Sequence, residues 1–312
     1  MFDDDLCSGA TDVGRKRENN QDQFLIAQLN KSMLVSRTSL PIEASSRLFS
    51  ESQGHLMLVA DGMGGHAAGE LASKMAIDFL VDRMLNEVRW FFKIHTDAEH
   101  EFIESLKSLL RTTHIRIQEQ GRQVASLRGM GTTLTMAYIV WPKMYVLHAG
   151  DSRCYLVRDG IVDRLTTDHT LARRMIESGG MKPEDELGSR WSNVLWNVLG
   201  GKSEGELSAE VRSVTLREGD TIVLCTDGLH RHVNDDRLTE VLREYPSSRE
   251  ACEAFIQIAN DAGGDDNVTV IVVRPEPPPG VASTVAIEED GALDTSLNYE
   301  TYNPQDTLPG PT

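Results

Sequence analysis

The chain is short of cysteine, of long apolar runs and of positive charge, and each shortage closes off a class of function. Its four cysteines, Cys7, Cys154, Cys225 and Cys252, are far apart and include no CxxC pair, which removes the spacing of structural zinc sites and dithiol redox centres. Two of them lie inside apolar strand-like runs, so buried free thiols in a reducing cytosol are expected rather than disulfides. No stretch approaches the roughly 20 apolar residues that cross a bilayer, and no signal-peptide pattern opens the chain; a soluble, cytoplasmic protein is expected. With 31 Lys and Arg against 48 Asp and Glu, the net charge is −17. That balance is unsuited to the phosphates of nucleic acid or to an anionic membrane surface. No internal repeat of about 20 to 50 residues is detectable.

What remains is ordinary globular material: 312 residues, 40% of them apolar, are enough to bury a sizeable core. Part of the negative charge is local. Residues 275–312 hold seven acidic residues, no basic ones and seven of the eleven prolines, the composition of a disordered extension. The folded domain is therefore expected at 1–274 and an acidic, proline-rich tail at 275–312.

Leu56 to Ala60 read as a buried strand, Asp61 ends it, Gly62, Gly64 and Gly65 turn the backbone, and a helical pattern begins at Ala67. A carboxylate at the tip of a buried strand is held facing whatever lies beyond it, and glycines alongside let backbone carbonyls approach a small charged ligand. Such oxygens are what hard divalent cations bind. Alone, a strand-Asp-Gly sequence is more often only a turn. Here the arrangement recurs: Thr221 to Thr226 runs into Asp227-Gly228, Tyr145 to Ala149 runs into Gly150-Asp151, and Asp265-Asp266-Asn267 opens the run Val268 to Val273. Four strand ends each offering an aspartate predict one shared rim, where like charges raise one another's pKa unless cations neutralise them. Arg17, in the polar loop before Asp22, reads either as a bidentate anion clamp or as part of a solvated basic loop.

Leu71, Met75 and Phe79, then Ile103, Leu106, Leu110 and Ile117, recur at helical spacing and predict two helices over one face of a sheet. Thr132 to Val140, Met144 to Ala149, Arg153 to Arg158 and Ile161 to Leu165 read as a four-stranded antiparallel meander, with Asp159-Gly160 its strongest hairpin signal. Val211 to Leu216 and Thr221 to Thr226 read as a further hairpin. Residues 30–54 look like a polar insertion that permits an extra hairpin. Residues 166–208, with a short helix near 170–178, form a flap of a length that is more often functional than idle. Helices at about 235–244 and 249–261 and a strand at 268–273 complete the pattern. Blocks of antiparallel strands with paired helices predict an α+β fold of two packed sheets with helices outside.

The segments TDVGRKRENNQD, VADGMGGHAAGE, GMGTTL, HAGDSRCYLVRDG, LTTDHT, LCTDGL and GGDDNVTV follow one another from about Asp12 to Val273. In this combination the chain resembles the metal-dependent serine/threonine protein phosphatases (PPM, or type 2C) in their compact bacterial form. The resemblance implies an αββα sandwich, two antiparallel sheets flanked by helix pairs, and hydrolysis of phosphoserine and phosphothreonine by attack of a metal-bridging water. It implies two Mn²⁺ or Mg²⁺ ions. Asp61 would bridge them, Asp227 and Asp266 would complete one, and the Gly62 carbonyl would help hold the other. Asp151 would join Asp227 at a third, weaker ion. Arg17 would hold the substrate phosphate, and Asp22 would sit in or just behind the metal shell. Phosphorylated proteins, among them a serine/threonine kinase and its substrates, are the implied partners. The competing reading is a catalytically weak or inactive metal-binding pseudophosphatase acting as a regulatory module. The aspartates at 61, 151, 227 and 266 weigh against it, since lost activity usually removes ligands first.

The chemistry explains why such residues are wanted. A phosphomonoester dianion repels hydroxide and hydrolyses very slowly, and two cations can acidify one water while neutralising charge on the phosphoryl oxygens. No covalent intermediate is then needed, and no Cys-x5-Arg signature with a plausible loop follows any cysteine. Two positions depart from the family pattern. Gln21 stands where a Glu is usual, and Met63 stands where some relatives carry a His able to protonate the leaving group. His66 or a water is left for that role, and a structural histidine at a helix start is the other reading of His66. In the flap, Asn197 stands where Arg is expected. A neutral amide binds a cation or its water more weakly than a carboxylate, so Gln21→Glu is predicted to lower the Mn²⁺ concentration for half-maximal phosphatase activity; an unchanged value in a metal titration would contradict this.

Overall fold

Alternation along one strand sets the layers. In β3 (Arg47–Met63), Leu56, Leu58 and Ala60 face a helix pair while Met57 and Val59 face a second sheet, so both faces of the strand are buried. The computed structural model describes residues 4–37, 39, 47–86, 96–186, 188–202 and 206–278. These fall within one compact unit, Met1–Val281. Most of the predicted acidic tail lies outside the described residues.

The elements before the first turn of the sandwich are β1 (Cys7–Asp12), β2 (Asp22–Leu34), β3, α1 (His66–Asn86) and α2 (Thr96–Gln123). Then come β4 (Gly131–Thr132), β5 (Leu134–Val140), β6 (Lys143–Ala149), β7 (Arg153–Arg158), β8 (Ile161–Arg164), α3 (Leu171–Glu177), β9 (Leu199–Gly200) and β10 (Glu210–Thr215). The remaining elements of the described residues are β11 (Thr221–Cys225), α4 (Asp227–His230), α5 (Asp235–Glu244), α6 (Ser248–Asp261) and β12 (Val268–Val273). Among the described residues, five strands form one sheet in the order β1-β12-β11-β7-β8, and seven form the other, β10-β6-β5-β3-β4-β9 with β2 also paired to β3. Every named strand pairing is antiparallel.

Three apolar layers follow from the period-two pattern. Met57, Val59, Ala137, Ile139 and Val146 from one sheet meet Leu156, Ile222, Leu224, Ile271 and Val273 from the other. The helix pair α1 and α2 covers the seven-stranded sheet, and α5 and α6 cover the five-stranded one through Leu238, Val241, Ala251 and Phe255. The αββα sandwich implied by the resemblance is therefore what the chain forms. On α1 the deepest face is Ala68, Ala72, Ala76 and Leu80, one residue round from the predicted Leu71, Met75 and Phe79. Alanines let the helix lie close to the sheet, and Leu71 and Met75 pack at its flank.

Two predicted connections are corrected. The meander is split: β5 and β6 pair in one sheet, β7 and β8 in the other, and Gly150-Asp151-Ser152 carries the chain between them. Nor do β10 and β11 form a hairpin, because β10 pairs with β6 while β11 lies between β7 and β12. Burial accounts for the separation. All of TIVLC in β11 is buried, as a central strand requires, whereas β10 is largely exposed and takes a sheet edge. The four cysteines are buried and free, and the insertion extends the β2–β3 hairpin as far as Leu34 and Arg47.

The β10–β11 connection is fixed by charge. Asp220, whose side chain is 1% exposed, accepts from Arg158 Nε and Nη2 at 2.8 and 2.7 Å and from the Arg217 amide at 2.7 Å. Removing the acid strands a guanidinium and an amide, so Asp220→Ala is predicted to cost about 2–4 kcal/mol in urea unfolding; a change below about 0.5 kcal/mol, the usual range for surface substitutions, would contradict this.

Candidate metal centre

Both sheets end at the same rim, and each delivers carboxylates to it. Asp61 and Asp22 are directly opposite partners on β3 and β2. Asp227 follows β11, Asp266 precedes β12, and Asp151 sits at the corner between β6 and β7. Together with Arg17, Gly62 and Arg231, four of these, Asp61, Asp151, Asp227 and Asp266, line a cavity of about 790 Å³. Asp22 lies behind it, 2% exposed. The strand-end aspartates and Asp22 are thus brought together, as is Arg17.

Hydroxyls hold the acids in place. Thr226 and Thr269 donate to Asp22 Oδ2 at 2.8 and 2.7 Å, tying β2 to both strands of the opposite sheet. The Asp61 amide donates to Thr133 Oγ1, while its carbonyl accepts from the Thr132 hydroxyl and the Thr133 amide, at 2.8–2.9 Å. Gly62 is packed so tightly that an added Cβ would lie 2.1 Å from the Gly69 carbonyl oxygen, which leaves glycine as the residue that fits between β3 and α1. Asn267 Oδ1 accepts from the Gln21 amide at 2.8 Å and its Nδ2 donates to the Val13 and Asn19 carbonyls, so the Arg17 loop is laced to the start of β12.

Like charges directly opposite on paired strands repel, and burial removes the water that would screen them. Burial first, then the charges of Asp227 and Asp266, push the Asp22 carboxyl up to about 7 against the two hydroxyl bonds that lower it. Asp61 is pushed well above the carboxylate range by burial and by Asp22, Asp227 and Asp151. Asp151 is raised in the same way, and Asp227 is raised by burial and Asp266 despite Arg231. Two oxygens, Asp22 Oδ1 and Asp227 Oδ1, are buried with no hydrogen-bond partner. Bare anionic oxygens beside three more carboxylates and a glycine carbonyl fit hard divalent cations.

The remaining sequence candidates fall as follows. Arg17 Nη2 donates to Asp266 Oδ2 at 2.8 Å, so it is engaged at the site rather than part of a solvated loop. Gln21 Nε2 donates to the Gly65 carbonyl at 3.0 Å, a bond an ionised glutamate could not donate. Met63 lines the cavity. His66 opens α1, and its side chain lies outside the described residues. Asn197 is buried away from the cavity, donating to His169 Nδ1 and to the Ser208 carbonyl and accepting from the Ser208 amide. The flap reaches the cavity instead through Asn193, Val194 and Leu195.

Sequence reasoning missed Arg231. It contacts Asp227 and approaches Asp266, and its signal was the four-residue spacing from Asp227 at a strand-to-helix turn. The Thr226–Thr269 clamp was missed too, because it joins residues far apart in sequence. Cys225 and Arg231 do meet the Cys-x5-Arg spacing, but Cys225 is in the core and burial pushes its thiol up to about 12, so it offers no thiolate nucleophile.

An αββα sandwich whose rim gathers acidic strand ends defines a metal-dependent hydrolase, and the chain belongs to the protein phosphatase 2C family, whose profile matches residues 37–269. It is similar to the serine/threonine phosphatase stp of Listeria monocytogenes, with 31% identity over 85% of this chain and 93% of that protein. Among solved structures, the S. agalactiae serine/threonine phosphatase superposes with a TM-score of 0.71 at 28% identity, covering 86% of this chain and 99% of that one. The catalytic domain of the phosphatase PstP, solved with two manganese ions, superposes with a TM-score of 0.64 at 29% identity, covering 85% and 96%.

A raised folded-state carboxyl binds its proton more tightly folded than unfolded, so its stabilisation is full below the unfolded value of 3.8 and lost as pH rises through the folded value, about 7 for Asp22. Chelator-treated protein is therefore predicted to lose thermal stability from about pH 4 to 7, and Mn²⁺ to restore more at pH 7 than at pH 5. A chelated melting temperature that rises over this window would contradict it.

Proposed function

We propose that this protein is a serine/threonine protein phosphatase that hydrolyses phosphoserine and phosphothreonine in other proteins at a Mn²⁺ or Mg²⁺ centre built on Asp61. The observation that carries the reading is the convergence of Asp22, Asp61, Asp151, Asp227 and Asp266, two of them with bare buried oxygens, in a chain of this family. In this reading Asp61, Asp227, Asp266 and the Gly62 carbonyl would hold two ions, with Asp61 shared by both, Asp227 and Asp266 serving one and Gly62 the other, and Asp22 would support the set from behind. When bound, the cations acidify a water and neutralise charge on the phosphoryl oxygens.

The chain's own groups do the rest. Arg17 enters the cavity from the loop before Asp22, 49% exposed, and its planar fork matches a phosphate. Asp266, which it bonds, aims the guanidinium at the cavity. Thr226 and Thr269 fix the Asp22 carboxylate, and Thr132 and Thr133 fix the backbone that carries Asp61. The open mouth beside Val194 and Leu195 admits a phosphorylated side chain from an extended protein segment, which suits the substrates of a serine/threonine kinase. Asp151 faces Asp227 at the position that the resemblance gives a third, weaker ion. The pseudophosphatase alternative gains no support, since Asp22 and the four strand-end aspartates are all present at the rim.

Asp61→Asn is predicted to lower kcat/KM on an aryl phosphate and on phosphothreonine peptides by about 10³-fold, the scale of several kcal/mol of charge stabilisation. Arg17→Ala should cost about 10- to 100-fold, the scale of a hydrogen bond to a charged group. Retained activity in Asp61→Asn, or full wild-type turnover in chelator, would overturn the reading.

A further inference from the structure

His169 is where the flap meets the rim. Its amide donates to the Gly150 carbonyl at 2.7 Å and its carbonyl accepts from the Trp196 amide at 3.0 Å, so its backbone joins the corner that carries Asp151 to the flap segment that carries Val194 and Leu195. The ring repeats the link. Its Nδ1 lies 3.0 Å from the Gly150 nitrogen and 2.9 Å from Asn197 Nδ2, and its face meets Trp196 with ring centroids 5.2 Å apart. Asp151, Val194 and Leu195 all line the same cavity, while His169 and Asn197 are buried behind it.

The partners fix which ring nitrogen carries the proton. A backbone N–H can only donate, so Nδ1 accepts from Gly150. Ser208 orients the Asn197 amide, its own amide donating to Oδ1 at 3.0 Å and its carbonyl accepting from Nδ2 at 2.7 Å, which leaves the second Nδ2 proton for His169 Nδ1. The imidazole is therefore neutral with its proton on Nε2, 3.6 Å from Glu210 Oε2. His148 stacks on it at 4.8 Å, donates from Nε2 to the Gly150 and Thr167 carbonyls at 3.1 and 3.0 Å, and meets Thr135 Oγ1 through Nδ1. His148, His169 and Glu210 are metal-ligating types within 4.8 Å of one another, but each ring nitrogen already faces a protein partner of the right sense, which makes the group a hydrogen-bond junction.

We infer that His169 is a positioning residue for the protein substrate: its imidazole holds the Val194–Leu195 wall of the cavity in place relative to Asp151, and so sets the fit of a phosphorylated segment there. The inference rests on the phosphatase reading and deepens it. The corner has other supports, since His148 holds the Gly150 carbonyl, the Thr133 and Ser152 hydroxyls bond at 2.8 Å, and His230 donates to the Asp151 carbonyl at 2.9 Å. The flap leans on the ring through Asn197 and Trp196. Loss of the imidazole should therefore release the flap more than the acids, and should weaken a substrate long enough to touch the flap more than a small one.

Steady-state kinetics on a phosphothreonine peptide and on an aryl phosphate, with Mn²⁺ present, separate the two effects. His169→Leu and His169→Gln are each expected to raise KM for the peptide about tenfold, the scale of one net hydrogen bond, and to change kcat/KM on the aryl phosphate by less than about threefold. His169→Asn, whose Oδ1 falls where Nδ1 was and still accepts, should stay within about twofold of wild type on both. Asn197→Ala removes the flap half of the contact, leaves the Gly150 bond, and should raise the peptide KM in the same way. Circular dichroism identifies which variants are folded, and nitrogen-15 NMR of the wild type should find His169 protonated on Nε2 and bare on Nδ1. A wild-type peptide KM in the folded variants, a proportional fall of kcat on both substrates with KM unchanged, an Asn variant no better than Leu, or a proton on Nδ1 would overturn the inference and leave the phosphatase reading standing. A wild-type chain that hydrolyses neither substrate would overturn the phosphatase reading, and the inference with it.

Discussion

Repulsion among carboxylates that the backbone does not allow to separate is the constraint on which this structure turns. Asp22 and Asp61 face each other across one strand pair, and Asp151, Asp227 and Asp266 reach the same rim from the corner and ends of other strands. Water screens them poorly, because burial is the largest cause of the upward shift at Asp22, Asp61, Asp151 and Asp227. Protons, arginines or divalent cations are the ways to relieve the charge. The chain supplies Arg17 and Arg231 and leaves two carboxylate oxygens bare.

The sandwich makes this crowding sustainable. Two sheets packed through Met57, Val59, Ile222, Leu224 and Ile271 bring strand ends from different sheets within bonding distance. The Thr226 and Thr269 hydroxyls then cross from one sheet to Asp22 on the other. Such a site cannot relax by moving one loop, since its acids are attached to the layers of the core. The structural cost is spread through the fold, and a cation bound at this rim would return stability to all of it.

Much of this was legible in the sequence, for physical reasons that differ by element. Runs such as Thr221 to Cys225 and Val268 to Val273 are apolar but for one threonine each and read as buried strands, so the aspartates at their ends were expected at one rim, where the structure gathers them. Helices α5 and α6, Asp235–Glu244 and Ser248–Asp261, fall where the sequence places them. Strand pairing was less visible. Turn sequences such as Arg217-Glu218-Gly219-Asp220 look the same whether the chain folds back within a sheet or crosses to the other, and the second is what occurs. On α1 the large side chains drew attention from the alanines, which carry the closest approach to the sheet. Long-range polar contacts were invisible: the Asp22 clamp spans 204 and 247 residues, and nothing local marks Arg231 as facing Asp266.

The most direct measurement is anomalous-scattering density from crystals grown with Mn²⁺. Two peaks about 3.5–4 Å apart, with Asp61 between them and Asp227 and Asp266 on one, is the expected result. Density at scattered surface acids, or none within reach of Asp61, would contradict the placement of the catalytic centre at this rim.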